Sequence, residues 1–231
     1  MRSRIAALAL TMSLGFAAPA SASTQFTFVN GGSVTAFGYY VGQYNGTQAT
    51  PTPHAVILNC VDFFHHVANG DTWQANLTSI GVGATVGPTV TRINNLTAYQ
   101  QAAYLTTQYA GKSATDIGDI QATIWNIMDP NGATSPNPPT PGTNAWLLAA
   151  QTYVAANPTG ASVGGFGNFY IVSDINSFVG GLDNASSIQE FIIYDDTFNQ
   201  NVTPTPEPAS MVLMGTGLLG LAAVRIRRRK K

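Results

Sequence analysis

Apolar and polar residues alternate first just past residue 22. Phe26 and Phe28 are flanked by polar neighbours, the period-two pattern of a half-buried strand. Residues 33–43 are rich in Tyr, Phe and Val, and residues 55–64 are apolar on both faces. Residues 73–80 and 84–91 follow, separated by Gly-containing turns, so the opening half reads as strands. The period then lengthens. Residues 97–109 lack Gly and Pro and hold good helix formers. Residues 113–128 begin with a capping-box-like Ser113-x-x-Asp116 and stop at Asp129-Pro130. A Pro/Asn/Gly-rich loop runs over 129–143, read as a solvated linker. A third helix is expected over 144–156, with Trp146, Leu147, Ala150, Tyr153 and Val154 on one face. Two closing strands, 168–173 and 188–194, complete an α+β pattern.

The ends differ from this body. Arg2 and Arg4, an apolar or small run over 5–18, and Ala20-Ser21-Ala22 read as a signal peptide spanning 1–22. The expected body is 23–199, followed by a Pro/Thr linker over 200–208 that forbids helix. Residues 209–224 are apolar, and 225–231 form a basic tail. Sixteen helical residues span ~24 Å, short for a hydrocarbon core of ~30 Å unless flanking arginines snorkel. The basic tail would stay cytoplasmic and leave the body outside. Pro206-Glu207-Pro208, the short Gly/Leu/Ala-rich run and the terminal Arg/Lys cluster together resemble the PEP-CTERM sorting signal of Gram-negative bacteria. The resemblance implies export to the cell surface or the medium, with a membrane protease, exosortase, as partner and anchoring by the C-terminal helix before processing.

Setting the ends aside changes the charge. Arg92 and Lys112 are the only Lys or Arg between residues 23 and 203, against ten acids, so the body carries about −8 with His neutral. That balance argues against nucleic acid and against anionic lipid head groups.

Two residues stand out within the body. Cys60 is the single cysteine of an exported chain, where thiols are usually paired or absent. It shares a strand face with Val56 and Leu58. Gln121 falls in the apolar stripe of its helix with Ile117, Ile124, Trp125 and Met128, while Asp116, Asp119, Thr123 and Asn126 take the expected wet face. A buried amide costs about 1–3 kcal/mol unless its donors and acceptor are satisfied. Gly118, one turn earlier, gives up about 1 kcal/mol of helix propensity and leaves room for another segment to approach. A buried thiol beside a buried carboxamide permits attack of sulfur on the Gln121 carbonyl with loss of ammonia, giving an internal thioester.

The segments 56–62 (Val-Ile-Leu-Asn-Cys-Val-Asp) and 120–125 (Ile-Gln-Ala-Thr-Ile-Trp) resemble the two halves of thioester domains found in bacterial surface adhesins. Ile120, Thr123 and Asn59 depart from the usual residues of that pattern. The resemblance implies a β-sandwich or barrel with an inserted helical subdomain, a cross-link between Cys60 and Gln121, and capture of an amine on a surface or matrix partner. Such capture is a single covalent event and not catalysis, and it needs no cofactor.

Other chemistries compete. His54, His65 and His66 lie near Cys60 in sequence, but Cys60-x4-His65-His66 is not a zinc spacing, and a continued strand would send the paired histidines to opposite faces. Either His65 or His66 is a candidate for proton transfer to sulfur or from an amine. A Cys-His hydrolase, oriented by Asp174 or Asp119, lacks the local signatures of known families and needs a lowered thiol pKa. The plainest alternative is a structural surface or biofilm-matrix module in which Cys60 and Gln121 are satisfied core residues.

Overall fold

The computed structural model describes residues 23–49, 52–129, 141–177 and 187–196. The expected signal peptide, the linker 200–208, the apolar run 209–224, the basic tail and the Pro-rich stretch 130–140 lie outside the described residues.

Strands β1 (Ser23–Asn30), β4 (Gln43–Gln48), β5 (His54–Cys60), β6 (Thr72–Ser79), β7 (Phe169–Asp174) and β8 (Phe191–Tyr194) close into a barrel in the order β1-β4-β5-β8-β7-β6. Every pairing is antiparallel. Of the two β architectures the resemblance allowed, the chain adopts the barrel, whose closure leaves no open edge between these strands. Between β6 and β7 the chain inserts three helices, α1 (Leu96–Thr106), α2 (Ala114–Met128) and α3 (Pro141–Ala156).

Two apolar clusters hold these layers together. One gathers Phe26, Phe28, Leu58, Trp73 and Phe191 with Cys60 and Trp125. Phe26 stacks on Trp73, and Phe28 on Phe191. The other joins Tyr99, Leu105, Ile120 and Ile124 of the helical region to Phe166, Ile171 and Ile192. Strand β7 is buried at all six positions because it faces both clusters.

The helices start where their caps put them. The Asn95 side chain accepts from Ala98 N–H, and Ser113 Oγ accepts from Asp116 N–H at 3.1 Å. Asp129, just before Pro130, ends α2.

Several expectations are corrected. Residues 33–43 do not form one strand but a small hairpin, β2 (Thr35–Ala36) and β3 (Tyr39–Tyr40). Phe37 and Gly38, both at positive φ, turn the chain between them. Residues 84–91 are turns, because Gly87 takes positive φ and Thr91 Oγ1 accepts from its N–H. Strand β5 ends at Cys60, so His65 and His66 lie in a loop and not on a strand. Thr123 is buried, since α2 packs against both other helices and its Oγ1 donates to Asp119 O and Thr143 O.

Candidate functional site

The end of β5 and the middle of α2 meet. Gln121 is 0 % exposed and Cys60 2 %. The Gln121 amide nitrogen donates to the main-chain carbonyl of Cys60 at 2.8 Å, across sixty-one positions of sequence. Its oxygen Oε1 accepts from Tyr109 O–H at 2.9 Å and from Gly42 N–H at 3.3 Å. The buried amide is thus satisfied at both ends, which removes the burial cost estimated from sequence.

The close approach expected at Gly118 is made by the β2–β3 hairpin. A β-carbon at Gly118 would lie 2.8 Å from Ala36 Cβ. The hairpin therefore rests on α2 one turn before Gln121, and the chain leaving it delivers Gly42 at φ +87°. Tyr39 packs edge-on against Phe63 and Trp125, with centroids at 5.1 and 6.2 Å.

The sulfur sits among weak partners. The Cys60 thiol donates to Asp62 O at 3.2 Å. Burial pushes the thiol up to about 12, Trp125 pulls it back in part, and the Asp62 charge adds to the rise. The indole N–H of Trp125 is buried and meets no hydrogen-bond acceptor at bonding geometry among the described residues. At neutral pH this cysteine is a thiol, not a thiolate. A cavity of about 310 Å³ reaches Cys60 and is walled by Tyr39, Tyr40, Tyr44, Phe63, His66 and Trp125 among others. Cys60 is thus at the edge of a cavity, whereas Gln121 is not among the residues that line it.

The loop after Cys60 is tied down by charge. Asp62 Oδ2 meets Arg92 Nε at 2.8 Å and His65 Nδ1 at 2.7 Å. Arg92 Nη1 lies 3.3 Å from His65 Nε2. Arginine can only donate, so Nε2 accepts and the imidazole proton is on Nδ1, facing Asp62. Burial alone would raise the Asp62 carboxyl, but His65 and Arg92 outweigh it and hold it below the usual carboxylate range. Glu190 closes the network, accepting from Tyr99 O–H at 2.6 Å, Ser173 O–H and Arg92 N–H. Burial pushes the Glu190 carboxyl up despite these donors.

The candidate proton carriers part company here. His65 is buried with both ring nitrogens engaged, whereas His66 is exposed on the cavity wall. Among the described residues no three His, Cys, Asp or Glu side chains converge on a metal position. Sequence reasoning missed Gly42, Tyr109 and the Arg92 network. Tyr109 lies past the end of α1, where no periodicity marks it, and Arg92 directly follows the stretch 84–91 misread as a strand.

A family model for the PEP-CTERM protein-sorting motif matches residues 204–229, which include Pro206, Glu207 and Pro208. The chain therefore carries the sorting signal of an exported, cell-envelope-associated protein handled by an exosortase. No curated protein and no solved structure matches the chain.

Proposed function

We propose that the barrel domain is a covalent capture module in which Cys60 and Gln121 form an internal thioester that acylates an amine on a surface or matrix partner. The observation that carries this reading is the hydrogen bond from the buried Gln121 carboxamide to the main-chain carbonyl of the equally buried Cys60. The thioester would form by bonding Sγ to the side-chain carbonyl carbon, breaking the carbon–nitrogen bond and passing the thiol proton to the departing ammonia. An amine that enters beside Cys60 then attacks the same carbon, leaving an amide at Gln121 and a free thiol at Cys60. The partner is consumed once per domain, so this is binding and not turnover. His66 on the cavity wall is the available acceptor for an amine's proton. Residues 209–224 would hold the precursor in the membrane until exosortase acts, with the body outside.

One observation favours a second reading. All three hydrogen bonds of Gln121 are made by the unreacted amide, which is also what a purely structural surface module requires. A Cys-His hydrolase is less well supported, because His65 is held by Asp62 and Arg92 and the thiol is raised.

Intact mass separates these readings. The capture module is lighter than its sequence by one ammonia, Cys60→Ala and Gln121→Ala restore full mass, and methylamine adds once to the wild type alone. A full-mass wild type that takes up no methylamine would overturn the proposal and favour the structural module.

A further inference from the structure

The Gln121 side-chain oxygen is held in an arrangement that amide burial alone does not demand. One donor would satisfy a buried carbonyl, yet two converge on Oε1, and they come from different parts of the chain. Gly42 N–H follows the β2–β3 hairpin, and Tyr109 O–H follows α1. Neither donor is part of α2, so the oxygen is fixed relative to the barrel and to the helical layer together.

We propose that Tyr109 O–H and Gly42 N–H form an oxyanion hole for acyl transfer at Gln121. This rests on the thioester reading above and extends it to the groups that stabilise the transition state. When Sγ bonds to the carbonyl carbon, the C=O electron pair moves onto Oε1, which becomes an alkoxide-like oxygen between its two donors. The carbonyl re-forms as the carbon–nitrogen bond breaks, and the thiol proton leaves with ammonia. On ring opening an amine nitrogen bonds to the same carbon and the same oxygen takes the charge again. The carbon–sulfur bond then breaks, and a proton from the amine goes to sulfur. Fixed donors aimed at a developing oxyanion in a dry site accelerate acyl transfer because they need no reorganisation. Gly42 stands at the long end of hydrogen-bonding distance, as is usual before charge develops.

Two features suit Tyr109 to the task. Burial, with Cys60 nearby, raises its phenol well above the ordinary value, so it remains a proton donor throughout. It is also 4 % exposed, so water cannot substitute for it easily. Gly42 cannot readily be replaced, since a side chain at its positive φ is strained and a β-carbon would lie 3.0 Å from Ile117 Cγ2.

The test is Tyr109→Phe, which keeps the ring and removes the donor. Wild type and variant are followed by intact mass for ammonia loss and for methylamine uptake. Removal of the hydroxyl is expected to slow both steps by ~100-fold or more, the usual cost of losing one oxyanion-hole donor. Equal rates in a folded variant whose wild type shows the ammonia deficit would overturn the oxyanion hole and leave the thioester intact. A wild type of full mass would instead remove the thioester reading and this inference with it. A second readout needs no variant. In wild type carrying 13C-glutamine, the thioester carbonyl stretch is expected below that of a free alkyl thioester with the same 13C label in apolar solvent. A band at the free position means that the oxygen has no donors and overturns the proposal.

Discussion

Two buried polar clusters lie on either side of the loop that follows Cys60, and they are built on opposite principles. On one side Asp62, His65, Arg92 and Glu190 form a charged network with Tyr99 and Ser173. On the other, Cys60, Gln121, Tyr109 and Gly42 meet through neutral hydrogen bonds only. A cavity of about 230 Å³ is lined by Asp62, Arg92 and Glu190 of the charged cluster, and one of about 310 Å³ by Cys60 of the neutral cluster together with Asp62 and His65. In the charged cluster the strong donors and acceptors are turned on one another, which anchors the loop to Glu190, just before β8, and to Arg92. The neutral cluster instead holds a thiol and a carboxamide whose oxygen takes two donors, the groups that the proposed thioester needs. Charges paired with one another are held fast by that pairing, whereas a neutral thiol and amide carry no such mutual hold, so the less polar of the two clusters is the better candidate site.

The largest effect expected from breaking this contrast is at Arg92. Arg92→Met leaves Asp62 ionised and buried with only His65 and main-chain N–H groups to hold it. Losing one partner of a buried ion pair costs about 3–5 kcal/mol, so the denaturant midpoint should fall steeply. Cys60→Ala should cost much less, because Gln121 bonds the main-chain carbonyl of residue 60 and keeps that contact. If the two variants lose similar stability, the charged cluster is not the anchor described.

A middle-sized effect tests how the hairpin closes the neutral side. Gly→Ala within a helix is ordinarily favourable by about 1 kcal/mol. At Gly118 the added carbon meets Ala36 Cβ at 2.8 Å, and overpacking of that kind costs about 1–3 kcal/mol. Gly118→Ala should therefore destabilise the domain despite its better propensity, and amide exchange at Tyr39 and Val41 should quicken as β2–β3 lifts. A stabilised variant with unchanged exchange would mean that the hairpin does not bear on α2.

How far the sequence revealed this contrast depends on the kind of signal. Gln121 was legible because one polar residue interrupts an apolar helical stripe, and Gly118 because it spends propensity without local benefit. The three inserted helices were legible from their period and from the Asp129-Pro130 stop. The capping-box-like start marked α2, whose cap Ser113 proves to be. The hairpin was not, since Tyr, Phe and Val at 33–43 read as strand until Phe37 is found at φ 58°, a conformation that a side chain takes at a cost of about 1–2 kcal/mol. Tyr109 and Gly42 act through positions that tertiary packing alone creates. Arg92 could have been suspected, as one of two cations in an acidic body, but nothing local assigns it to Asp62.

The smallest effect concerns pH and isolates the thiol. Gln121→Ala cannot form the thioester and leaves Cys60 free, and adding Cys60→Ser removes the titrating group. The thiol rises from 9.0 when unperturbed to about 12 in the fold. Between those values the unfolded chain has released a proton that the folded chain still holds, so the unfolded state binds fewer protons and stability falls as pH rises. The fall begins near pH 9, runs at about 1.4 kcal/mol per pH unit and ends near 12; below pH 9 the thiol contributes no slope. Tyrosines that titrate in the same range are common to both proteins and cancel in the difference. Urea unfolding at pH 8, 9 and 10 should therefore show Gln121→Ala losing stability relative to the double variant only over the last step. Parallel profiles would place Cys60 in contact with solvent, and with it the whole neutral pocket, against the burial on which acyl chemistry there depends.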